Sequence, residues 1–302
     1  MESRGKIIAI LGPTSAGKSA AAIRLAQKFD GEIVSVDSRQ IYRGMDIGTG
    51  KVTQEEQAGI KHWMLDIASP KTDFSAARFK KKADKIIKDI LKRGKLPILC
   101  GGTGFWIKSI VDNITYPEVK PDWELRNQLD DSSLEDLFAQ LRKLDPKRAR
   151  SIDAKNKVRL IRAIEICKTL GQVPEEKSDP RYQTLQIGLA VPKEELHAKI
   201  KKRLDRRWRD GMIEEIEKLH THGLSWKKIQ SFGLGYFWIP EYLRKKISLE
   251  ELYSKVYLSE KDYAKRQLTW FKKDLRILWL EKYGDIEKEV AIFLKNKVIK
   301  TV

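Results

Sequence analysis

The stretch "LGPTSAGKSA", residues 11–20, decides the fold of this protein. Its glycines, lysine and serine fit the phosphate-loop spacing G-x-x-x-x-G-K-[ST], between the apolar run "KIIAI" and the helix-like "AAIRLAQKF". In such a loop, glycines let backbone N–H groups surround phosphate oxygens, and the next helix adds the partial positive charge of its N-terminus. The spacing therefore predicts a strand, a phosphate-binding turn and a helix in direct succession.

Two side chains of this loop have specific expected roles. Lys18 is expected to neutralise the outer phosphate, and Ser19 to bind Mg²⁺ through its hydroxyl, because a hard cation prefers oxygen ligands. The motif does not distinguish ATP, GTP or another diphosphate. A glycine-rich turn that binds no ligand is the structural alternative.

The composition describes a basic globular protein. The chain has 302 residues, of which 41% are apolar and 34% charged, and its 60 Lys and Arg against 42 Asp and Glu give a net charge of +18. Such a charge favours a polyanionic partner, RNA or DNA first, although a solvated cationic surface would have the same composition.

Targeting and cysteine patterns predict a cytoplasmic protein. The sequence has no apolar run near the roughly 18 residues of a membrane span, and "MESRGK" leads into a strand-like run without a signal peptide. Cys100 and Cys167 have neither metal-ligand nor C-x-x-C spacing, so both are expected to be reduced and structural. A monomer is the default expectation.

The order of apolar runs predicts an α/β fold. Runs suited to buried strands lie at 6–11, 32–37, 96–100, 185–191 and 276–280, with helical patterns between them such as 74–94. This order indicates a P-loop NTPase-like parallel sheet with crossover helices. Residues 116–182 are polar and helical, so we predict core segments at 1–115 and 183–302, the latter with long basic helices, and a helical insertion domain at 116–182.

Polar residues at strand ends are further site candidates. Asp37 is expected at the carboxyl end of a strand adjacent to the phosphate-loop strand, where it could bind Mg²⁺, accept a proton or cap a turn. In "CGGTGFW" (100–106), Gly101 and Gly102 permit close approach of a ligand and Thr103 offers a hydroxyl. A strand-to-helix turn that needs glycine only for its dihedral angles is the alternative.

Two basic segments stand out in the last third of the chain. In 197–212, Leu196, Ile200 and Leu204 form the predicted buried stripe, and a solvated face is the default for most of the nearby arginines (203, 206, 207 and 209), one of which could close over a phosphate. The segment "YAKRQLTWFKK" (263–273) mixes cations with aromatic rings, as single-stranded RNA recognition requires. Phe271 is expected in the core.

Several motifs in this order resemble those of the tRNA dimethylallyltransferases, also called tRNA isopentenyltransferases. These motifs are "GPTSAGKS", "VSVDSRQIYRGMDIGT", "ILCGGTGFWIK", "RLIRAIE", "GY" at 235–236 and "AKRQLTWF". The similarity extends over nearly the whole chain and is to the short bacterial form, which has no C-terminal zinc finger. Phe237 departs from the family, which usually has a basic residue there.

The resemblance implies a reaction and a set of donor-site residues. The dimethylallyl group of dimethylallyl diphosphate moves to N6 of the adenosine immediately 3′ of the anticodon, tRNA position 37, and diphosphate is released. Asp37 is then the general base, Thr103 lies beside the reacting groups and Mg²⁺ is the cofactor. The residues implied for diphosphate binding are Gly12, Pro13, Thr14, Ser15, Ala16, Gly17, Lys18, Ser19 and Arg203.

The resemblance also implies a surface for the tRNA anticodon stem-loop. Its residues in this chain are Asp37, Ser38, Arg39, Gln40, Thr103, Arg126, Val158, Arg159, Leu160, Ile161, Arg162, Phe232, Gly235, Tyr236, Lys265, Arg266, Gln267 and Trp270. Two alternatives stay open at this point. A phosphate-loop kinase would have the same loop but no need for the charge of +18, and a noncatalytic RNA-binding protein would not need Asp37.

Overall fold

The computed structural model describes residues 4–175 and 178–296. The chain divides into two compact units, Met1–Asn113 with Pro180–Val302, and Ile114–Asp179. The insertion predicted from sequence has slightly different limits, 116–182, and its residues 176 and 177 lie outside the described ranges, as do residues 1–3 of the N-terminus. Tyr182 packs in the core of the first unit.

In the first unit, helices follow most of the strands up to residue 113. They are β1 Lys6–Leu11, α1 Lys18–Lys28, β2 Gly31–Val36, β3 His62–Trp63, α2 Ala76–Lys92, β4 Leu96–Gly101 and α3 Gly104–Val111. After the second unit the chain continues with β5 Gln183–Leu189, α8 Lys193–Arg209, α9 Met212–Thr221, α10 Trp226–Gln230, α11 Gly235–Leu243, α12 Leu249–Phe271, β6 Ile277–Leu280 and α13 Tyr283–Lys295.

The described strands form one parallel sheet in the order β3-β2-β4-β1-β5-β6. The α/β prediction is therefore confirmed, and every predicted apolar run forms a strand. Sequence reasoning missed β3, because two residues carry no periodic pattern. It was also wrong to place the strand before Asp37 next to the phosphate-loop strand, since β4 lies between β2 and β1.

Both faces of the sheet are buried, as expected when helices cover a parallel sheet. Along β1, Ile7, Ala9 and Leu11 belong to one hydrophobic cluster, whereas Ile8 and Ile10 belong to the other. This alternation follows from the two-residue period of a strand. The prediction that Phe271 lies in the core is confirmed.

The second unit contains four helices within its described residues, and each begins with a side-chain cap. The helices are α4 Trp123–Asp130, α5 Leu134–Leu144, α6 Pro146–Ser151 and α7 Lys157–Leu170. The cap residues are Asp122, Ser133, Asp145 and Asn156. The side chain of each accepts a hydrogen bond from a backbone N–H of the first turn, which has no acceptor within the helix itself. Leucines and isoleucines from α4, α5 and α7 fill the centre.

Candidate active site

A cavity of about 570 Å³ opens at the carboxyl ends of β1, β2 and β4 in the first unit. Ligands bind at this edge of open parallel sheets, because the connections after the strands diverge there. The cavity walls come from the phosphate loop, the turn after β2, segment 48–50, the turn after β4, α8 and α12. The predicted phosphate loop, Asp37 and Arg203 thus face one space.

The phosphate loop needs glycine at its ends. Gly12 and Gly17 have φ angles of 133° and 93°, in the left-handed region that favours glycine. A Cβ on Gly12 would also lie 3.3 Å from the carbonyl oxygen of Leu189. Inside the loop, the Lys18 ammonium donates to the carbonyl oxygen of Pro13 at 2.6 Å. The motif therefore forms the predicted turn, with Lys18 lying over it.

Lys18 is held in an electrostatically unfavourable place. Burial is the main cause that lowers its pKa to about 8; the charge of Arg203 acts in the same direction, while Cys100 and Asp37 act in the opposite one. Burial also raises the pKa of Cys100 to about 11, so the thiol is inert at neutral pH. Cys100 and Cys167 are free and buried, as predicted. The site has cationic groups that an anionic ligand would stabilise.

Arg203 joins the phosphate loop to segment 48–50. Its guanidinium donates to the Thr14 hydroxyl at 2.8 Å and to the carbonyl oxygen of Gly50 at 2.9 Å. Gly50 has a φ of 59°, and a Cβ there would collide with this guanidinium. Burial lowers the pKa of Arg203. Arg203 therefore lies where a fork of donors can reach a phosphate beside Thr14.

On the other wall, Asp37 and Thr103 belong to linked turns. One Asp37 oxygen, Oδ1, accepts from the backbone N–H of Arg39 at 2.8 Å and of Gln40 at 3.3 Å. The Thr103 hydroxyl accepts from the backbone N–H of Ser38 at 3.1 Å. Asp37 thus caps its own turn, one of the roles left open by the sequence, and still lines the cavity.

Two acids near this site, one of them buried, were missed by sequence reasoning. Glu260 pairs with Arg207 at 2.8 Å, and both are almost fully buried, so the expected solvated face does not include Arg207. Glu215 accepts from the backbone N–H groups of Asp46, Ile47 and Gly48. Acids on amphipathic helices give no sequence signal of burial, because most such residues face solvent.

Among the predicted RNA-contacting residues of the first unit, residues 37–40 and Thr103 are partly buried, and the others are exposed or buried. Lys265, Arg266 and Trp270 line a surface pocket on α12. Phe232, Gly235, Tyr236 and Gln267 are buried. Tyr236 donates its hydroxyl to Glu215 at 2.8 Å, and Phe232 accepts through its carbonyl from the Arg39 guanidinium at 2.6 Å. Phe237, at the position of the unusual aromatic, is 42% exposed.

The second unit shows the same division. Val158 and Arg159 are exposed, whereas Leu160 and Ile161 pack in the core of the unit. Arg126 and Arg162 both pair with the buried carboxylate of Glu165. Burial raises the pKa of Glu165, but the hydrogen bonds from Arg126, the Asp122 backbone and Arg162 outweigh it and lower the pKa. Both arginines therefore have an internal partner.

Membrane-spanning helices and clusters of metal-binding side chains are both absent from the described residues. Within 4–175 and 178–296, no helix combines the length and the apolar character needed to cross a membrane. In the same ranges, no group of three or more His, Cys, Asp or Glu side chains converges on a possible metal position.

The sheet is parallel and carries a phosphate loop, and cations and a carboxylate face one cavity. These features define a phosphate-loop enzyme. The chain belongs to the IPP transferase family, whose sequence model matches residues 40–274. It is 41% identical to a tRNA dimethylallyltransferase of Acetivibrio thermocellus, over 91% of each chain. It is 38% identical to one of Bacillus cereus, over 98% of this chain and 96% of that protein. The resemblance noted in the sequence is thereby confirmed.

Solved structures of related enzymes share the fold. A tRNA isopentenylpyrophosphate transferase from Bacillus halodurans superposes with a TM-score of 0.72 at 34% identity, covering 96% of this chain and 95% of that one. A eukaryotic dimethylallyltransferase, described as acting on tRNA, superposes with a TM-score of 0.81 at 26% identity, covering 98% of this chain and 81% of that one.

Proposed function

We propose that this protein transfers the dimethylallyl group of dimethylallyl diphosphate to N6 of the adenosine immediately 3′ of the anticodon, tRNA position 37. The observation that carries the proposal is a single cavity lined by Lys18 and Arg203 on one side and by Asp37 on the other. The tRNA dimethylallyltransferases among its relatives support the choice of both substrates.

The donor side suits a departing diphosphate. When the bond between the allylic carbon and the diphosphate oxygen breaks, the carbon delocalises positive charge and the leaving group gains negative charge. Lys18, Arg203 and the loop N–H groups are preorganised donors for that charge, and the Thr14 hydroxyl is held at the same place by Arg203. Their partial burial strengthens each interaction, because less water screens the charges.

The acceptor side suits the removal of a proton. Adenine N6 is a weak nucleophile because its lone pair is delocalised into the ring. The new bond joins the allylic carbon to N6, and the proton of N6 moves to Asp37. Arg39 and Gln40 hold Oδ1 of this carboxylate through their N–H groups, and no hydrogen bond from the described residues engages Oδ2. That oxygen is the candidate proton acceptor.

Mg²⁺ fits the residues of the donor side. Ser19 lines the cavity and offers a hydroxyl oxygen, the type of ligand that this cation prefers. Mg²⁺ usually keeps several waters and binds through substrate phosphates, so a single protein oxygen can be sufficient to place it. When bound, Mg²⁺ would neutralise diphosphate charge.

The tRNA anticodon stem-loop is the proposed acceptor. The target base must leave its stack, at a cost of a few kcal/mol. Lys265, Arg266 and Trp270 offer cations and a ring on one exposed surface, which can offset that cost. We expect the protein to act in the cytoplasm, as a monomer.

The decisive experiment measures label transfer from dimethylallyl diphosphate to unmodified tRNA, with an ATP phosphotransfer assay in parallel. We expect label in tRNA with adenosine at position 37 and none when that adenosine is replaced. In Asp37→Asn, turnover should fall roughly 10²-fold or more while tRNA binding persists. Phosphorylation of a small acceptor without labelled tRNA would identify a kinase, and binding of tRNA without any turnover a noncatalytic RNA-binding protein.

A further inference from the structure

One buried amide bonds to both walls of the site. Gln267, on α12, accepts through Oε1 from the backbone N–H of Thr14 at 2.7 Å and donates through Nε2 to the carbonyl oxygen of Gly102 at 3.0 Å. The residue is 6% exposed. A primary amide has an acceptor and a donor at one end, so both backbone groups are satisfied by one side chain.

Two neighbours of Gln267 on α12 pack on elements around the site. Tyr263, one turn earlier, lies with its ring 5.0 Å from the Arg39 guanidinium. Trp270, almost one turn later, packs on Gly104 so closely that a Cβ there would collide with the indole. Residues three and four apart lie on one side of a helix. Arg266, which precedes Gln267, is exposed and lines the surface pocket on α12.

The two bonds of Gln267 connect the donor and acceptor halves of the site. Thr14 is fixed twice, by Gln267 at its N–H and by Arg203 at its hydroxyl. Gly102 directly precedes Thr103, whose hydroxyl accepts from the Ser38 N–H beside Asp37. The Thr14 N–H already has a partner, so the other N–H groups of the loop are the ones available to a phosphate.

We propose that Gln267 is a positioning residue that fixes the distance between the phosphate loop and the Thr103 turn, and that it does not contact RNA. The proposal rests on the function proposed above. It assigns donor binding and alignment to a residue that the resemblance places in the tRNA-binding segment. Loss of the amide should loosen the Thr14 backbone, and with it the donor, while the exposed cations of α12 keep their positions.

The test separates donor affinity from tRNA affinity. Gln267→Leu keeps most of the side-chain volume and removes both hydrogen bonds. Calorimetry without tRNA should show dimethylallyl diphosphate and Mg²⁺ binding roughly tenfold or more weakly, and kcat should fall as well. Filter binding without donor should show a tRNA affinity within about twofold of wild type, which is as small as the effect of a typical surface substitution. The matched control Arg266→Ala should weaken tRNA binding and leave donor binding unchanged.

Gln267→Glu provides a second, conservative variant. A protonated carboxyl group has one O–H donor and one acceptor oxygen, so it can reproduce both bonds, whereas the carboxylate leaves Gly102 without a donor. Burial should raise the pKa of this carboxyl group above its ordinary value of about 4.3, so donor affinity relative to wild type should recover as the pH is lowered from about 8 to about 5. If Gln267 acted through packing alone, donor affinity would not recover at low pH. The Gln267→Glu variant also tests the proposal if Gln267→Leu does not fold.

Two results would overturn the proposal. One is weaker tRNA binding by Gln267→Leu with unchanged donor affinity, which would make Gln267 an RNA contact. The other is unchanged affinity for both substrates. If the wild-type protein transfers no label to tRNA, the proposed function fails, and binding of inorganic diphosphate by the same variants still decides whether Gln267 positions the loop.

Discussion

Lys18 is the residue at which burial and function oppose each other most directly. It is partly buried beside another cation, Arg203, and its pKa falls to about 8 as a result. The protein therefore carries a charge whose stabilisation is incomplete until an anion arrives. Such strained electrostatics are typical of binding sites, because the ligand supplies the missing partner.

Donor binding should depend on pH through this lysine. The diphosphate adds negative charge and raises the pKa of Lys18, so binding above about pH 8 takes up a proton. Affinity for dimethylallyl diphosphate should be highest near and below pH 8 and decline by up to about tenfold for each further pH unit. Calorimetry without tRNA measures this directly.

Lys18→Arg is the matched control, because arginine keeps its charge over this range. Its donor affinity should be nearly constant from pH 7 to pH 10. Constant affinity in the wild-type protein over the same range would contradict the assignment of Lys18 to the diphosphate.

At the scale of elements, segment 46–50 connects α8 with α9 and α11. Glu215 on α9 binds three consecutive N–H groups of this segment and the Tyr236 hydroxyl of α11. From α8, Arg207 and Arg203 donate to its carbonyl oxygens at Gly48 and Gly50. The segment is thereby fixed through its backbone, which allows it to orient Arg203.

Glu215→Gln should weaken both the fold and the donor site. An amide has one acceptor oxygen and two N–H donors, so it cannot accept from the Asp46, Ile47 and Gly48 backbone and from Tyr236 at once. We expect the free energy of unfolding to fall by about 2 kcal/mol, the scale of hydrogen bonds to a charged group. The KM for dimethylallyl diphosphate should rise, because Arg203 loses its fixed partners.

Chemical denaturation and steady-state kinetics measure the two effects. The neighbouring Glu214 is exposed, so Glu214→Gln should change neither quantity. A Glu215→Gln protein with wild-type stability would show that the carboxylate is dispensable for segment 46–50.

At the scale of the whole molecule, the net charge of +18 favours a polyanionic partner. Charge alone does not locate the contact, but the exposed cations of α12 lie beside Trp270 at a surface pocket. Within the second unit, Arg126 and Arg162 share the buried Glu165, so part of the charge is neutralised internally.

Binding of tRNA should be strongly dependent on salt. Cations that contact phosphates release counterions, so the affinity should decline linearly on a log–log plot against salt concentration. Arg266→Ala should reduce the magnitude of that slope by roughly 0.7, the value for one contact to a single strand. Lys288 on α13 is an exposed control, and Lys288→Ala should leave the slope unchanged. Equal slopes for wild type and Arg266→Ala would place the RNA elsewhere.

The sequence by itself determined the features that depend on near neighbours in the chain. The strand, turn and helix around Gly12 and Lys18 follow from local spacing and from glycine φ angles, and apolar runs were sufficient to identify most strands. The burial of Phe271 and of both cysteines follows from their apolar character. Local preferences of this kind need no knowledge of the rest of the molecule.

Only the tertiary structure decided how distant segments meet. It placed β4 between β2 and β1, and it brought Gln267 to Thr14 although 253 positions separate them in the chain. It also gave Glu215 the buried partner Tyr236 and buried the Arg207–Glu260 pair. Glu215, Arg207 and Glu260 all resemble solvated residues on amphipathic helices. The physical reason is that a polar side chain has the same local pattern whether it faces water or a buried backbone group. Its role is fixed only when the fold supplies the partner.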